Sequence, residues 1–176
     1  MRITFELEPT DIARFHEALA RAERLAHTMD ECDIVETAKD ALNALPIGGA
    51  PSYVRVRLTA VQRMILMLED EEWGLPSAER GEVLRTLVYF ADPEDMIPDH
   101  VEVIGLLDDA IMLELLLRRL KHVLQAYDDF CAFRRAYAQA TDAAARHERG
   151  TALARKRDAL RVRMRRRLEK IEAARP

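Results

Sequence analysis

The strongest constraint on the fold is a long stretch, from Asp108 to about Ala145, in which apolar side chains recur at helical spacing. Residues three and four apart share one side of an α-helix, so this spacing creates a continuous apolar face. Its members are Ile111, Met112, Leu115, Leu116, Leu120, Val123, Leu124, Tyr127, Phe130 and Cys131. One helix cannot bury such a face alone, so the stretch predicts a bundle of helices packed around it.

Five further segments have the same helical pattern and are separated mainly by proline and glycine. Proline lacks an amide hydrogen and glycine favours non-helical conformations, so both end helices. Ser52 and Ser77 are predicted helix caps, and Gly150 is predicted to separate the last two helices. The other predicted helices run from Pro9 to about Thr28, from Asp30 or Asp33 to Leu45, from Ser52 into residues 69–74, from Ser77 to Ala91, and from about Thr151 to Ala174.

The N-terminal residues 2–7, RITFEL, differ because Ile3, Phe5 and Leu7 alternate with polar residues, as in a short strand. A chain of 176 residues is long enough for one domain with its own core. The sequence therefore predicts an all-α fold, a single-domain bundle of about six helices with a short N-terminal strand-like segment. Residues 1–148 would form the helical body, and residues 149–176 a basic amphipathic helix.

Cysteine content and hydropathy indicate a soluble protein of the cytoplasm. Cys32 and Cys131 are far apart and form no CxxC motif, which suits a reducing compartment. The N-terminal sequence has no apolar segment of the secretory type. The longest apolar run, residues 110–117, contains Glu114 and is much shorter than the ~20 residues of a membrane span. We expect a cytoplasmic location and no integral membrane insertion.

Charge is distributed unevenly along the chain. Residues 146–176 contain twelve Lys and Arg against four acidic residues, a net charge of +8. Because the whole chain has a net charge of −4, the first 145 residues carry −12. The candidate contact residues in the basic segment are Arg155, Lys156, Arg157, Arg161, Arg163, Arg165, Arg166 and Arg167. An acidic body with a basic end predicts an electrostatic interaction.

Three interpretations of the basic segment stay open. A narrow apolar stripe runs through it, formed by Leu153, Leu160, Met164, Leu168 and Ile171. The segment could dock on the acidic body, including residues 69–72, or on a second subunit or another protein. It could bind nucleic-acid phosphates, or it could lie on anionic lipid. Docking or self-association is favoured, because charged runs are usually solvated helix faces.

Residues 91–110, ADPEDMIPDHVEVIGLLDDA, contain seven acidic side chains among prolines and aliphatic residues. In a structural interpretation these acids cap helix ends and meet the positive end of a helix dipole. In a second interpretation Asp95, Asp99, Asp108 and Asp109 converge and bind a divalent cation, since hard cations prefer oxygen ligands. The spacing does not match an EF-hand loop. Both interpretations stay open.

Other motifs of catalysis are missing. None of the five histidines belongs to an HExxH motif, and the six glycines form no phosphate-binding or dinucleotide-binding loop. Cys131 lies on the predicted core face, where a thiol usually acts as a small hydrophobic group. Glu114 interrupts an apolar run and is predicted to pair with Arg118, four residues further on.

The segment DPEDMIPDHVEVIGLLDD, residues 92–109, resembles the signature of the YkvA-like family, a bacterial domain of unknown function. The matching positions are Pro93, Asp95, Met96, Ile97, Pro98, Asp99, Gly105, Asp108 and Asp109, and the resemblance covers about residues 83–120. Glu102 departs from the pattern, since members commonly have a second proline there. The resemblance implies a small helical domain with no agreed catalytic activity or cofactor.

These observations together predict a cytoplasmic helical interaction or scaffold protein without catalysis of its own. A protein partner or a second copy would contact the basic last helix. One alternative is a hydrolase that uses Mg²⁺ or Mn²⁺ bound by the acidic turn to activate water. A second alternative is nucleic-acid binding through the arginine-rich helix.

Overall fold

A computed structural model of the protein describes residues 9–45, 51–92, 105–137 and 143–173, which within these ranges form α-helices and no strand. The helices are α1 (Pro9–Thr28), α2 (Glu31–Ala44), α3 (Ser52–Glu69), α4 (Ser77–Phe90), α5 (Gly105–Ala136) and α6 (Ala143–Ala173). The all-α prediction with six helices is confirmed. The predicted strand-like segment RITFEL lies outside the described residues. Over the described ranges, no helix combines the length and apolar character that crossing a membrane requires.

Helix α5 packs against α3, α4 and α6. Helix α1 lies on α4, and α2 packs against both α3 and α4. The predicted apolar face of α5 contributes Leu120, Val123 and Phe130 to a core in which all three are almost fully buried. The same core contains Trp73 from the α3–α4 connection and Met164 from α6. The basic helix α6 is therefore part of the packed bundle.

The connection between α3 and α4 is fixed by the carboxylate of Asp70. It accepts hydrogen bonds from the Trp73 backbone N–H at 3.1 Å and from the Tyr127 hydroxyl at 3.0 Å, and it pairs with Arg134 at 2.8 Å. Gly74 follows with a φ of +52°, a conformation that glycine adopts at little cost. These contacts join the connection to α5 and leave the backbone carbonyls of residues 72–74 facing α6.

The prediction that Ser52 and Ser77 cap their helices is wrong. Pro51 and Pro76 occupy the N-cap positions, both with extended ψ angles, and neither helix start has a side-chain cap hydrogen bond. The fixed φ of proline suits the non-helical N-cap conformation. The Pro76 carbonyl then accepts the amide of Arg80 at 2.8 Å, as a first helical carbonyl does.

The boundary between the last two helices also differs from the prediction. Helix α5 ends at Ala136 instead of extending to about Ala145, and α6 begins at Ala143 and continues through Gly150. A glycine inside a helix costs about 1 kcal/mol relative to alanine, which favourable neighbours can offset. Gly150 alone therefore does not end the helix. A Cβ atom added there would have no neighbour within 4 Å.

Candidate functional site

The four acidic residues predicted to bind a metal fall largely outside what the structure describes. Asp95 and Asp99 lie outside the described residues. Helix α5 begins at Gly105, three residues earlier than predicted, so Asp108 and Asp109 are its fourth and fifth residues. They therefore do not occupy its N-cap position. Across the described part of the chain, no group of three or more His, Cys, Asp or Glu is placed to hold a metal ion. Convergence of these four carboxylates stays a prediction.

Asp92 and Glu114, near either end of the acidic segment, make ion pairs that join helices. The Asp92 carboxylate accepts a hydrogen bond from Arg21 Nε at 2.7 Å, which joins the end of α4 to α1. Glu114 pairs with Arg118 at 3.0 Å, as predicted, and also with Arg57 of α3 at 2.9 Å. The Arg21 and Arg57 contacts were missed because their partners are distant in sequence and no local spacing indicates them.

The inner face of α6 is apolar and belongs to the protein core. Leu153, Leu160 and Met164 are buried in the same cluster as the residues of α5, and Leu168 is half-buried. These residues are members of the stripe that the sequence predicts. Docking of the basic helix on the rest of the chain is therefore what the structure shows, with α5 as the main contact.

Five of the eight candidate cations on α6 contact the protein itself. Arg163 pairs with Asp129, Arg167 donates a hydrogen bond to Gln125 at 2.9 Å, and Lys156 lies 5.2 Å from the Phe133 ring centroid. The other two, Arg157 and Arg161, donate to backbone carbonyls of the α3–α4 connection. Residues 69–72 were predicted as the docking site for the basic helix, and one of them, Glu72, forms an ion pair with Arg149 of α6 at 3.4 Å. Arg149 was not among the predicted contact residues.

Arg161 has the most specific environment of these cations. Its guanidinium donates hydrogen bonds to the carbonyls of Trp73 and Gly74 and lies 5.9 Å from the Trp73 ring centroid. Burial lowers the pKa of Arg161, and the nearby Arg157 lowers it further, whereas Asp158 and Glu79 act in the opposite direction. A Cβ atom on Gly74 would lie 3.1 Å from Arg161 Nη2, so the glycine leaves room for this contact.

The remaining cations lie on what we call the outer face of α6, formed by Arg155, Ala159, Val162, Arg165 and Arg166. All five residues are exposed, and Val162 retains 46% of its accessible surface. Within the ranges that the structure describes, the three arginines have no hydrogen-bond or ion-pair partner. Asp158 borders this face, but its carboxylate already contacts Arg157 at 3.4 Å. The outer face therefore presents three arginines without ion pairs among the described residues around an apolar centre, with the exposed Glu169 one helical turn beyond Arg165 and Arg166.

His122 is a buried polar residue of α5 and is only 5% exposed. Neither ring nitrogen has a hydrogen-bond partner among the described residues. Burial lowers the pKa of His122, an effect opposed by the negative charges of Glu82 and Glu79 and reinforced by Arg167 of α6. Burial therefore favours the neutral form of the imidazole.

One comparison with known proteins finds a match. A family model described as a protein of unknown function (DUF1232) matches residues 80–115, which are 36 of the 176 residues. The match begins in α4, includes the acidic turn and ends in α5, and it supports an uncharacterised domain family for this part of the chain. No curated protein and no solved structure matches the chain. Helix α6 lies outside the matched segment.

Proposed function

We propose that the protein is a cytoplasmic helical interaction module, without catalysis of its own, that binds an acidic partner protein through the outer face of α6. The observation that supports this most directly is the set of three exposed arginines without partners among the described residues, Arg155, Arg165 and Arg166, around Val162. The other candidate cations on the helix are already engaged by the body.

The fixed position of α6 favours such binding. Its inner face is packed on α5 through Leu160 and Met164, so the outer face is presented on a rigid helix. Preorganisation reduces the conformational entropy lost when a partner binds. Guanidinium groups pair with carboxylates in a two-pronged geometry, and Val162 would add a small apolar contact. Arg155 and Arg166 are eleven residues apart, or roughly 16 Å along the helix.

A partner that fits this face presents carboxylates over a similar length, as an acidic amphipathic helix does. The matching probe is a helical peptide with glutamates at the spacing of the three arginines and a leucine to contact Val162. A second peptide with glutamines in place of the glutamates tests the role of charge. Duplex RNA and duplex DNA of comparable length test the nucleic-acid alternative.

The experiment compares two triple variants of equal charge by fluorescence anisotropy. In one, Arg155, Arg165 and Arg166 are changed to glutamine. In the control, the exposed arginines Arg24, Arg55 and Arg135 are changed, so each protein has a net charge of −7 instead of −4. We expect the outer-face triple variant to lose binding of the acidic peptide and the control to retain it.

Two results would contradict the proposal. Equal loss in both variants would mean that the peptide responds only to net charge. Tighter binding of RNA or DNA than of the peptide, lost in the outer-face variant, would replace the protein partner by nucleic acid. Melting temperatures of both variants would show that the fold is retained.

The proposal treats the YkvA-like turn as a structural connection between α4 and α5 and assigns it no cofactor. We therefore expect the melting temperature measured in EDTA to stay unchanged when Mg²⁺, Mn²⁺ or Ca²⁺ is added. A ligand at ~100 times its dissociation constant would stabilise the folded state by about 2.7 kcal/mol. A rise of several degrees that disappears in Asp109→Asn would instead support the metal-dependent hydrolase.

A further inference from the structure

A groove of about 410 Å³ lies between α1, α4 and α5 and has no lining residue from α6. It exists because α1 packs on α4, and α4 packs on α5, while α1 and α5 themselves make few contacts. Ala22 of α1 and Leu116 and Leu120 of α5 line its inner part and are buried. The volume lies within the roughly 300–1,000 Å³ of small-molecule sites.

Charged residues surround this apolar inner part. Arg85 of α4 pairs with Glu23 at 2.9 Å and is 3.8 Å from a carboxylate oxygen of Glu82. Both acidic residues of the groove thus lie close to the same cation, Arg85. Arg119 of α5 also lines the groove, is exposed, and has no ion-pair or hydrogen-bond partner in the described parts of the chain. The two arginines and two glutamates of the lining balance in formal charge, and Arg119 is the one of the four that makes no ion pair among the described residues and lies next to the apolar surface.

We propose that this groove binds a small organic monoanion, a carboxylate attached to a short apolar chain or ring. The Arg119 guanidinium would pair with the carboxylate, and the apolar group would lie against Leu116, Leu120 and Ala22. A cationic ligand fits less well, because Glu23 already pairs with Arg85 and Glu82 lies 3.8 Å from the same guanidinium. His16, on the α1 wall, lies in the same groove and would border the bound anion.

Three naphthalene compounds separate the contribution of charge from that of the apolar group. The probe is 1-naphthoate, and its matched controls are the neutral 1-naphthalenemethanol and the cationic 1-naphthalenemethylamine. Binding is followed by chemical-shift changes in amide NMR spectra of the whole protein. A charge-assisted hydrogen bond predicts that naphthoate binds about tenfold more tightly than the alcohol.

Two variants, each changed at a residue that lines the groove, test whether the ligand binds there. Arg119→Gln should reduce naphthoate affinity about tenfold and leave the alcohol unaffected. Arg118→Gln is the control, because the neighbouring Arg118 pairs with Glu114 and does not line the groove. Ala20→Leu should abolish binding of both compounds, since Ala20 lines the groove and is exposed, so a larger side chain enters the groove without disturbing the core.

The proposal is overturned if naphthoate binds no more tightly than the alcohol, or if the anion preference survives in Arg119→Gln. It is also overturned if Ala20→Leu leaves binding intact while the melting temperature shows a folded protein. The groove and the outer face of α6 share no residue, so failure of this proposal is separate from failure of the proposed function.

Discussion

The inner and outer faces of α6 contain the same residue type in very different surroundings. Arg161 on the inner side donates to two backbone carbonyls and lies over Trp73, whereas Arg166 on the outer face has no partner among the described residues. Both belong to one arginine-rich segment, and they differ in their position around the helix relative to the apolar stripe. The comparison teaches that the position of an arginine relative to the packed apolar stripe determines whether it serves the fold or is available to a partner.

The largest expected difference between the faces is in packing. Met164 is 1% exposed, so Met164→Ala should leave a cavity in the core and reduce the free energy of unfolding by about 2–4 kcal/mol. Val162→Ala on the outer face should change it by less than about 0.5 kcal/mol. Urea denaturation of both variants measures the difference. Similar losses from the two variants would mean that α6 does not pack through this stripe.

The next largest difference is expected between arginine substitutions on the two sides of α6. Arg161→Gln should reduce the free energy of unfolding by about 1–2 kcal/mol, because the Trp73 and Gly74 carbonyls lose a charged donor. Arg166→Gln, the matched change on the outer face, should have no measurable effect on unfolding. The same denaturation experiment separates them. If Arg166→Gln were the more destabilising change, the assignment of the two faces would be reversed.

The pH dependence of stability tests His122, the buried polar residue of α5. The pKa of His122 is lowered in the folded state, so the unfolded state binds the proton more readily. Stability should therefore fall as the pH drops below about 6.5, the ordinary histidine value, by up to roughly 1.4 kcal/mol per pH unit. His122→Leu should remove this contribution, and His147→Leu at an exposed position should not. Parallel stability curves for the wild type and His122→Leu between pH 7.5 and 5.5 would contradict the prediction.

The smallest expected effect concerns two glycines. Gly150→Ala should stabilise the protein by about 0.5–1 kcal/mol, because the added methyl group meets nothing and alanine favours the helix. Gly74→Ala should destabilise it, since the backbone has φ of +52° and Arg161 is close. Thermal melting distinguishes a rise from a fall. A loss of stability in Gly150→Ala would mean that the helix does not continue through this position.

Local periodicity predicts much of the fold. Apolar residues three and four positions apart indicated all six helices. The stripe containing Leu160 and Met164 indicated which side of α6 is buried. The same rule places Val162 on the opposite side, because two residues correspond to about 200° around a helix. The misplaced boundaries have a physical cause: Gly150 is tolerated inside a helix, and Pro76 occupies a cap position that serine commonly fills.

The candidate contacts were less predictable because they depend on tertiary approach. No spacing in the sequence relates Arg161 to the Gly74 carbonyl or Arg21 to Asp92, which are brought together only when the helices pack. The lowered pKa of His122 likewise depends on its burial in the packed bundle. Its position between the core residues Leu120 and Val123 was the available signal.

The reactivity of individual arginines tests the central claim most directly. The protein would be treated with phenylglyoxal under native conditions, with and without the acidic peptide, and modification would be located by tandem mass spectrometry. We predict that Arg155, Arg165 and Arg166 react as fast as in urea and are protected by the peptide, while Arg157 and Arg161 react slowly until the protein unfolds. Uniform reactivity along α6, or protection by the peptide at arginines outside this helix, would contradict the account.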